Sequence, residues 1–198
     1  MERGWPLGRY SGEDPTGRVH VALDGAARDA TVVLEHGWRS AVGTAGLAAA
    51  VLQAFCEATT ARLVAWASAD VVEPAPPGRA VPGQAGRPTI DSLSRARRDL
   101  REFRQQLMAL RRTTETASSP GRLAVARVSG GQVTGLELDP EWLRTAASRD
   151  LERHVGHALR GALTLISAQP ERALASCPDL AAFLAGTPFA PFSSPHSR

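Results

Sequence analysis

The chain has 198 residues, a length that suits one large domain or two small ones with a substantial buried core. All 23 basic side chains are Arg and 20 residues are acidic, so the net charge of +3 argues only weakly for an anionic partner. Cys56 and Cys177 lie in unrelated contexts, which excludes a disulfide framework or a Cys-x-x-Cys metal knuckle and favours a reducing compartment.

The amino-terminal stretch "MERGWPLGRYSGEDP" carries charges, Gly and Pro where a signal peptide needs an apolar run. By inspection, no later stretch approaches the length of a membrane span. We therefore expect a soluble, cytoplasmic protein that does not have a membrane as its partner.

An internal duplication is indicated by an ungapped shift of 104 residues, which places Trp38 on Trp142. The same shift aligns residues 17–58 with residues 121–162 and keeps the pattern of residue types throughout. The other coincident positions include Gly17-Arg18 with Gly121-Arg122, Leu47 with Leu151, and Val51 with Val155.

Each copy contains the same succession of local patterns. "RVHVAL" and "RLAVARV" alternate apolar and other residues, as half-buried strands do, and "DGAAR" and "SGGQ" supply the Gly-containing turn of a hairpin. The return strands "ATVVLE" and "VTGLELD" follow, and then apolar residues recur at helical spacing. The sequence predicts a hairpin followed by an amphipathic helix in each copy, with Thr44 and Ser148 as helix N-caps.

Between the copies lie a linker and a long helix. Residues 70–88 are dense in Pro and Gly and are predicted to be a linker. Residues 89–113 are predicted to form an arm helix capped by Thr89. Its apolar residues alternate at spacings of three and four, as in a coiled-coil seam, and the predicted oligomerisation residues are Leu93, Leu100, Phe103, Leu107 and Leu110.

The arm helix also carries a cluster of arginines, which is the candidate DNA-binding surface. Guanidinium groups along a stiff helix can neutralise successive phosphates of a duplex. The alternative is that they are solubilising residues beside a packing seam, partly paired with acids of the same helix. The residues are Arg95, Arg97, Arg98, Arg101, Arg104, Arg111 and Arg112.

The segment "LELDPEWL" at 136–143 is interpreted as a structural joint. Asp139 is placed to cap a helix that Pro140 begins at its first position, and Trp142 is expected to pack where strand gives way to helix. His154, His157 and Asp150 have a spacing that suits a metal ion, but no further ligand lies nearby in the sequence. We predict no catalytic residues, no metal, no cofactor and no enzymatic activity.

A heptad-bearing helix, a Gly-rich hairpin with a third short strand at "LELDPEWL", and a closing amphipathic helix make residues 89–168 similar to the YbaB/EbfC family of nucleoid-associated proteins. The family's return strand ends in an apolar-acid-apolar-Asp-Pro step, which residues 136–140 match. The terminal "TPFAPF" resembles the Pro/Phe tail of many members. In the first copy the resemblance covers residues 17–64, and there His36-Gly37 replaces the Pro-acid step.

The resemblance implies an α+β protein that binds DNA with little sequence preference and resides in the nucleoid. The two copies then form a pseudo-dimer with one arm. The predicted organisation is a first half without an arm at 1–69, the linker at 70–88, a complete second copy at 89–168, and a partly loose tail at 169–198.

Two kinds of partner follow from these features. The first is duplex DNA, bound non-specifically through the arm. The second is a partner protein, in which case the chain is an adaptor or a chaperone-like factor, and the acids of both copies favour this alternative. Because the first copy has no arm to cover the seam, the arm either folds back on its own chain or forms a homodimer with a second arm.

Overall fold

In a computed structural model of the chain, the structure describes residues 8–69 and 90–181. The linker, the Thr89 cap and the "TPFAPF" tail lie outside the described residues. The strands are β1 (Arg9–Glu13), β2 (Val19–Asp24), β3 (Ala30–Leu34), β4 (Glu115–Ser118), β5 (Ala124–Ser129) and β6 (Gln132–Leu138). The helices are α1 (Trp38–Ala41), α2 (Gly43–Ala69), α3 (Ile90–Arg112), α4 (Pro140–Thr145) and α5 (Ser148–Leu174). The predicted α+β class is confirmed.

The strands form two three-stranded antiparallel sheets, ordered β1-β2-β3 and β4-β5-β6. In β2, Val19, Val21 and Leu23 are buried while the intervening residues are half-buried, as the alternating sequence predicts. Ala124, Ala126 and Val128 are buried in the same way in β5. The hairpin turns use left-handed backbone at Ala27 and at Gly130 and Gly131, so both predicted hairpins are present.

The third strand of each sheet precedes the hairpin instead of following it. The segment "LELDPEWL", predicted to be a separate third strand, is the end of β6 and the beginning of α4. β1 and β4 supply the third strands. Neither has an alternating apolar pattern, because each has only four or five residues and packs at the margin of its sheet.

The ungapped repeat is out of register by one residue in the first hairpin strand. The buried positions Val19, Val21 and Leu23 correspond to Ala124, Ala126 and Val128, which lie 105 residues further along. A shift of 104 would place Val19 on Leu123, which precedes the strand. Since a slip of one residue reverses the face of every side chain, the second copy must hold one extra residue before β5.

The described chain forms two compact units. The meander unit contains both sheets, α1, α2, α4 and most of α5, within residues 4–71 and 111–168. The arm unit contains α3 as far as Leu110 and the segment from Gln169.

A single hydrophobic core fills the meander unit and draws residues from both copies. α2 packs on β1 and β2 of its own sheet and on β6 of the second sheet. In the opposite direction, Arg160 of α5 donates to the carbonyl of Ala30 in β3, at 3.1 Å. Each closing helix thus contacts the last strand of the other copy, α2 on β6 and α5 on β3, which is the arrangement of a pseudo-dimer.

α2 is longer and more apolar than the sequence pattern predicted. Residues Gly43–Ser68 reach the length of a membrane span and contain an 18-residue window with a mean hydropathy of 1.3, so the statement that no stretch approaches that length is wrong. One face of this helix explains part of that composition, because Leu47, Val51 and Phe55 are buried in the core. Beyond the core its end exposes Leu63, Val64 and Trp66.

Two predicted boundaries at α5 also differ from the structure. The helix begins at Ser148, so Ser148 is not its N-cap, and its hydroxyl instead accepts a hydrogen bond from the Trp38 indole at 3.0 Å. At the other end α5 continues past residue 168 to Leu174. The predicted tail therefore starts as helix.

Candidate nucleic-acid interface

α3 is the predicted arm, and its observed bounds of Ile90–Arg112 lie within one residue of the prediction. Most of its half-buried apolar residues recur on one side, and three of its arginines, Arg97, Arg101 and Arg104, lie on the other. This amphipathic division allows one side to pack while the other remains in water.

The packed side of α3 is marked by Asp99, which is buried. The Asp99 carboxylate accepts a hydrogen bond from the Leu180 backbone N–H at 3.0 Å, and its carbonyl accepts one from the Cys177 thiol at 3.4 Å. Cys177 and Leu180 are themselves buried. Because the helical turn at 178–181 leaves its first N–H groups unpaired, Asp99 caps that turn from another part of the chain.

This contact places the arm against its own carboxy-terminal segment, the first of the two arrangements considered from the sequence. The seam is also rotated from the predicted one. Asp99 is buried, whereas Leu100 is 38% exposed. Phe103, Leu107 and Leu110 are half-buried, and the side chain of Leu93 lies outside the described part. A homodimer through the arm stays a prediction that concerns the exposed Leu100 side.

The seven candidate arginines are all exposed. At 100° per residue, Arg97, Arg101 and Arg104 lie between about 140° and 200° around the helix from Asp99. These three, which we call the arm stripe, point away from the packed side. Arg95 and Arg98 lie nearer to that side, and Arg111 and Arg112 occupy the last turn.

The acidic residues of α3 offset its positive charge less than the sequence alone indicates. Asp99 is occupied by Leu180, so its carboxylate is not part of the exposed surface around the stripe. Glu102 is exposed and lies about 60° from Asp99, towards the packed side. The arm stripe is therefore a basic surface with no acid among its own three positions.

Several acids of the two copies are also engaged. Asp29 pairs with Arg160 at 3.5 Å, and Glu137 pairs with Arg127. Asp24 accepts from the backbone N–H groups of Arg28 and Asp29 in the first hairpin turn. These contacts give the acids structural roles in the meander unit.

The structural interpretation of "LELDPEWL" is confirmed. Asp139 is the N-cap of α4, its carboxylate accepts from the Trp142 N–H at 2.7 Å, and Pro140 is at the first helical position. Trp142 is partly buried against the core and meets the ring of His154 edge-on at 5.3 Å. The segment joins a strand to a helix.

The histidine spacing on α5 is used for packing and surface contacts. His154 packs against Trp142, while Asp150 pairs with Arg153 at 2.7 Å. His157 is exposed. Within residues 8–69 and 90–181, no group of three His, Cys, Asp or Glu side chains is positioned to hold a metal ion.

Sequence reasoning missed the tertiary role of Asp99 and the contacts that join the copies. Arg39 donates to the carbonyls of Leu143 and Ala146, at 3.0 and 2.6 Å. Glu152 accepts from the backbone N–H of Leu34 at 2.8 Å. The two partners of each of these hydrogen bonds are more than 100 residues apart. The local sequence shows only that Arg39 and Glu152 are charged residues beside an apolar helix face, and it does not indicate what they bind.

The chain was compared with family models, curated proteins and solved structures, and none of them matches it.

Proposed function

We propose that the chain is a non-catalytic, DNA-associated protein of the cytoplasm and nucleoid. It binds the backbone of duplex DNA with little sequence preference, as the resemblance to the YbaB/EbfC family implies. The observation that supports this proposal most is the arm stripe, whose three arginines are exposed on the side of α3 opposite the buried Asp99.

The physical argument is one of charge density. Duplex DNA presents about one negative charge per 1.7 Å of its axis, and each phosphate contact releases condensed counterions. Arg97 and Arg104 are seven residues apart, which is about 10 Å along a helix. A rigid row of this length spans several phosphates and contacts them without reading base edges.

The test is a titration of duplex DNA at several salt concentrations with the full chain and an Arg97→Ala/Arg101→Ala/Arg104→Ala variant. The logarithm of the wild-type affinity is expected to fall linearly with the logarithm of the salt concentration. Removal of three phosphate contacts lowers that slope by up to about 2.7, at roughly 0.9 per contact.

A matched control removes three exposed arginines from the meander unit, Arg144, Arg149 and Arg153. This control changes the net charge by the same amount. A larger loss of DNA affinity in the arm variant than in the control would therefore reflect a specific role of the arm. Equal losses in both variants would place the DNA contacts elsewhere. Absence of binding at low salt, or binding without a salt slope, would remove the proposal.

A second candidate function is a protein-interaction adaptor or chaperone-like factor that uses the same helix. Its support is the exposure of Leu100 and Met108, at 38% and 57%, on an otherwise charged surface. A Leu100→Ser/Met108→Ser variant separates the two functions. Backbone DNA binding would keep its affinity and salt slope in this variant, whereas an apolar partner contact would be lost.

A further inference from the structure

β1 is one of the two terminal strands of the first sheet and pairs only with β2 within the described chain. Two hydrogen bonds show which of its backbone groups face outward. The Asp14 N–H donates inward to the Val19 carbonyl at 3.0 Å, whereas the Glu13 N–H donates away from the sheet to the Glu57 carboxylate at 3.1 Å. Because the direction alternates, the backbone groups of Arg9, Ser11 and Glu13 face the open edge.

The edge strand "RYSGE" is short and carries two charged side chains, but it lacks the proline and the bulge that block strand pairing outright. It contains no Pro, its register with β2 is regular, and the side chains of Arg9, Ser11 and Glu13 are exposed. In an antiparallel pair centred on Ser11, Arg9 of one strand lies opposite Glu13 of the other. The edge is therefore complementary in charge to a second copy of itself.

We propose that two copies of this chain associate through β1, which pairs antiparallel with β1 of the partner about a two-fold axis at Ser11. Ser11 then faces the partner's Ser11, and two Arg9–Glu13 pairs flank it. Residues 9, 11 and 13 provide the hydrogen bonds between the strands, so the β1–β2 ladder stays intact. The two sheets become one six-stranded sheet.

The molecule has space beside this edge. An open groove of about 500 Å³ runs between β1 and α2 and is lined by Ser11, Gln53, Cys56, Glu57, Thr60 and Ala61. In the single chain, Glu57 occupies the outward N–H of Glu13. In the dimer, the partner's backbone replaces Glu57, and the freed carboxylate adds negative charge near the partner's Arg9.

The strand at the same place in the second sheet, β4, is a natural comparison. The Ser119 N–H donates inward to Ala124, so Thr116 and Ser118 have outward-facing backbone groups in β4. Neither residue is charged, and Pro120 lies two residues after the end of the strand. Of these two strands, β1 is therefore the one with the charge complementarity that specifies a self-pairing register.

The first test reverses the charges one at a time and then together, in the full chain, with the molecular mass measured by sedimentation over a range of concentrations. Arg9→Glu places two acids opposite each other at both flanks, and Glu13→Arg places two arginines there. Each single variant is expected to weaken dimerisation by about tenfold or more. Arg9→Glu/Glu13→Arg restores opposite charges and is expected to recover wild-type dimerisation, while the control Arg144→Glu leaves it unchanged.

The second test acts on the backbone and does not depend on charge. Ser11→Pro removes an N–H that β2 does not use, and proline is compatible with an edge strand. This variant is expected to be a folded monomer, with circular dichroism and thermal unfolding as the check on folding. In a Cys56→Ser background, Ser11→Cys is expected to form a disulfide between chains on mild oxidation, because directly paired Cα atoms lie about 5.5 Å apart.

A wild-type monomer at all concentrations tested would overturn the proposal. So would a dimer that survives Ser11→Pro but is lost in Leu100→Ser, because that result assigns dimerisation to the arm. If the double variant Arg9→Glu/Glu13→Arg dimerised as weakly as the single variants, the proposed strand register centred on Ser11 would be wrong. None of these outcomes depends on whether the chain binds DNA, so this inference and the proposed function fail separately.

Discussion

At the scale of single residues, Asp14 has the most densely bonded side chain in the first meander. It is 3% exposed, and its carboxylate accepts from the backbone N–H groups of Arg18 and Val19 at 2.9 and 2.8 Å. The Thr16 hydroxyl donates to the other oxygen at 2.7 Å. Burial by itself raises the pKa of Asp14, but these hydrogen bonds to the charged form together lower the pKa below its ordinary value of 3.8.

The lowered pKa makes a prediction about stability and pH. Because protonation favours the unfolded chain, the contribution of Asp14 is complete above its unfolded pKa and is lost as pH falls through the folded value. Asp14→Asn replaces one acceptor by a donor that faces other donors, and is expected to cost about 1–3 kcal/mol at neutral pH. Urea unfolding at a series of pH values measures this difference, which should shrink below about pH 3.8.

Ser119 is the matched control for that experiment, because its hydroxyl accepts from the Ala124 N–H at 3.0 Å in the second copy. The side chain is neutral and buried. Ser119→Ala should therefore destabilise the protein by a similar mechanism, but by an amount that does not change between pH 3 and 7. A pH-independent loss in Asp14→Asn as well would show that its charge is irrelevant to folding.

At the scale of elements, the sequence pattern predicted the strands and helices in which buried residues recur at a regular spacing. β2 alternates at period two, and α2 buries Leu47, Val51 and Ala58 on one helical face. β1 and β4 escaped detection because short marginal strands are held by a neighbouring helix more than by their own apolar residues. The extra residue before β5 also escaped, since the Gly17 and Gly121 turns look alike in sequence.

The close approach of α2 to β1 depends on Gly12. A Cβ atom at this position would overlap the Ala54 carbonyl oxygen and the Ala58 backbone nitrogen, so α2 would have to move. Gly12→Ala is expected to lower the free energy of unfolding by about 3 kcal/mol through overpacking. Chemical denaturation measures the loss.

Gly135→Ala in β6 is the control, because its new methyl group would meet only the Arg127 Cβ at 3.6 Å, an ordinary contact. The second copy solves the same steric problem with the glycine on the helix, where a Cβ at Gly161 would lie 2.9 Å from that of Ala117. Equal stabilities of Gly12→Ala and Gly135→Ala would contradict the close packing of α2 on β1.

At the scale of the whole molecule, the arm shows why the candidate site was only partly predictable. The exposure of its arginines follows from their positions around a helix, which a sequence specifies. The burial of Asp99 cannot be read from the sequence in this way, because it depends on contact with Leu180, 81 positions further along the chain. The heptad pattern places Leu100 in the packed seam because Leu100 is hydrophobic. In the structure the neighbouring Asp99 is buried instead, because its carboxylate caps a helical turn.

The two copies are joined by polar contacts that one copy supplies to the other. The N–H of Leu34 at the margin of β3 would be unpaired without Glu152 of α5. The corresponding position in α2 is Ala48, so no carboxylate at that position can accept the reciprocal hydrogen bond. The duplicated halves have therefore diverged, and the second copy supports the sheet edge of the first.

This dependence predicts that the two sheets unfold together. Glu152→Ala leaves the Leu34 N–H without its acceptor, and the expected cost is about 1–3 kcal/mol. Since one core joins the copies, amide hydrogen exchange should accelerate by the same factor in β2 and β5, although Glu152 belongs to the second copy. Glu171→Ala, an exposed acid on the same helix, serves as the control and should leave both sheets protected. Faster exchange confined to β3 and its neighbours would mean that the halves open independently, and the pseudo-dimer would then be two domains in contact.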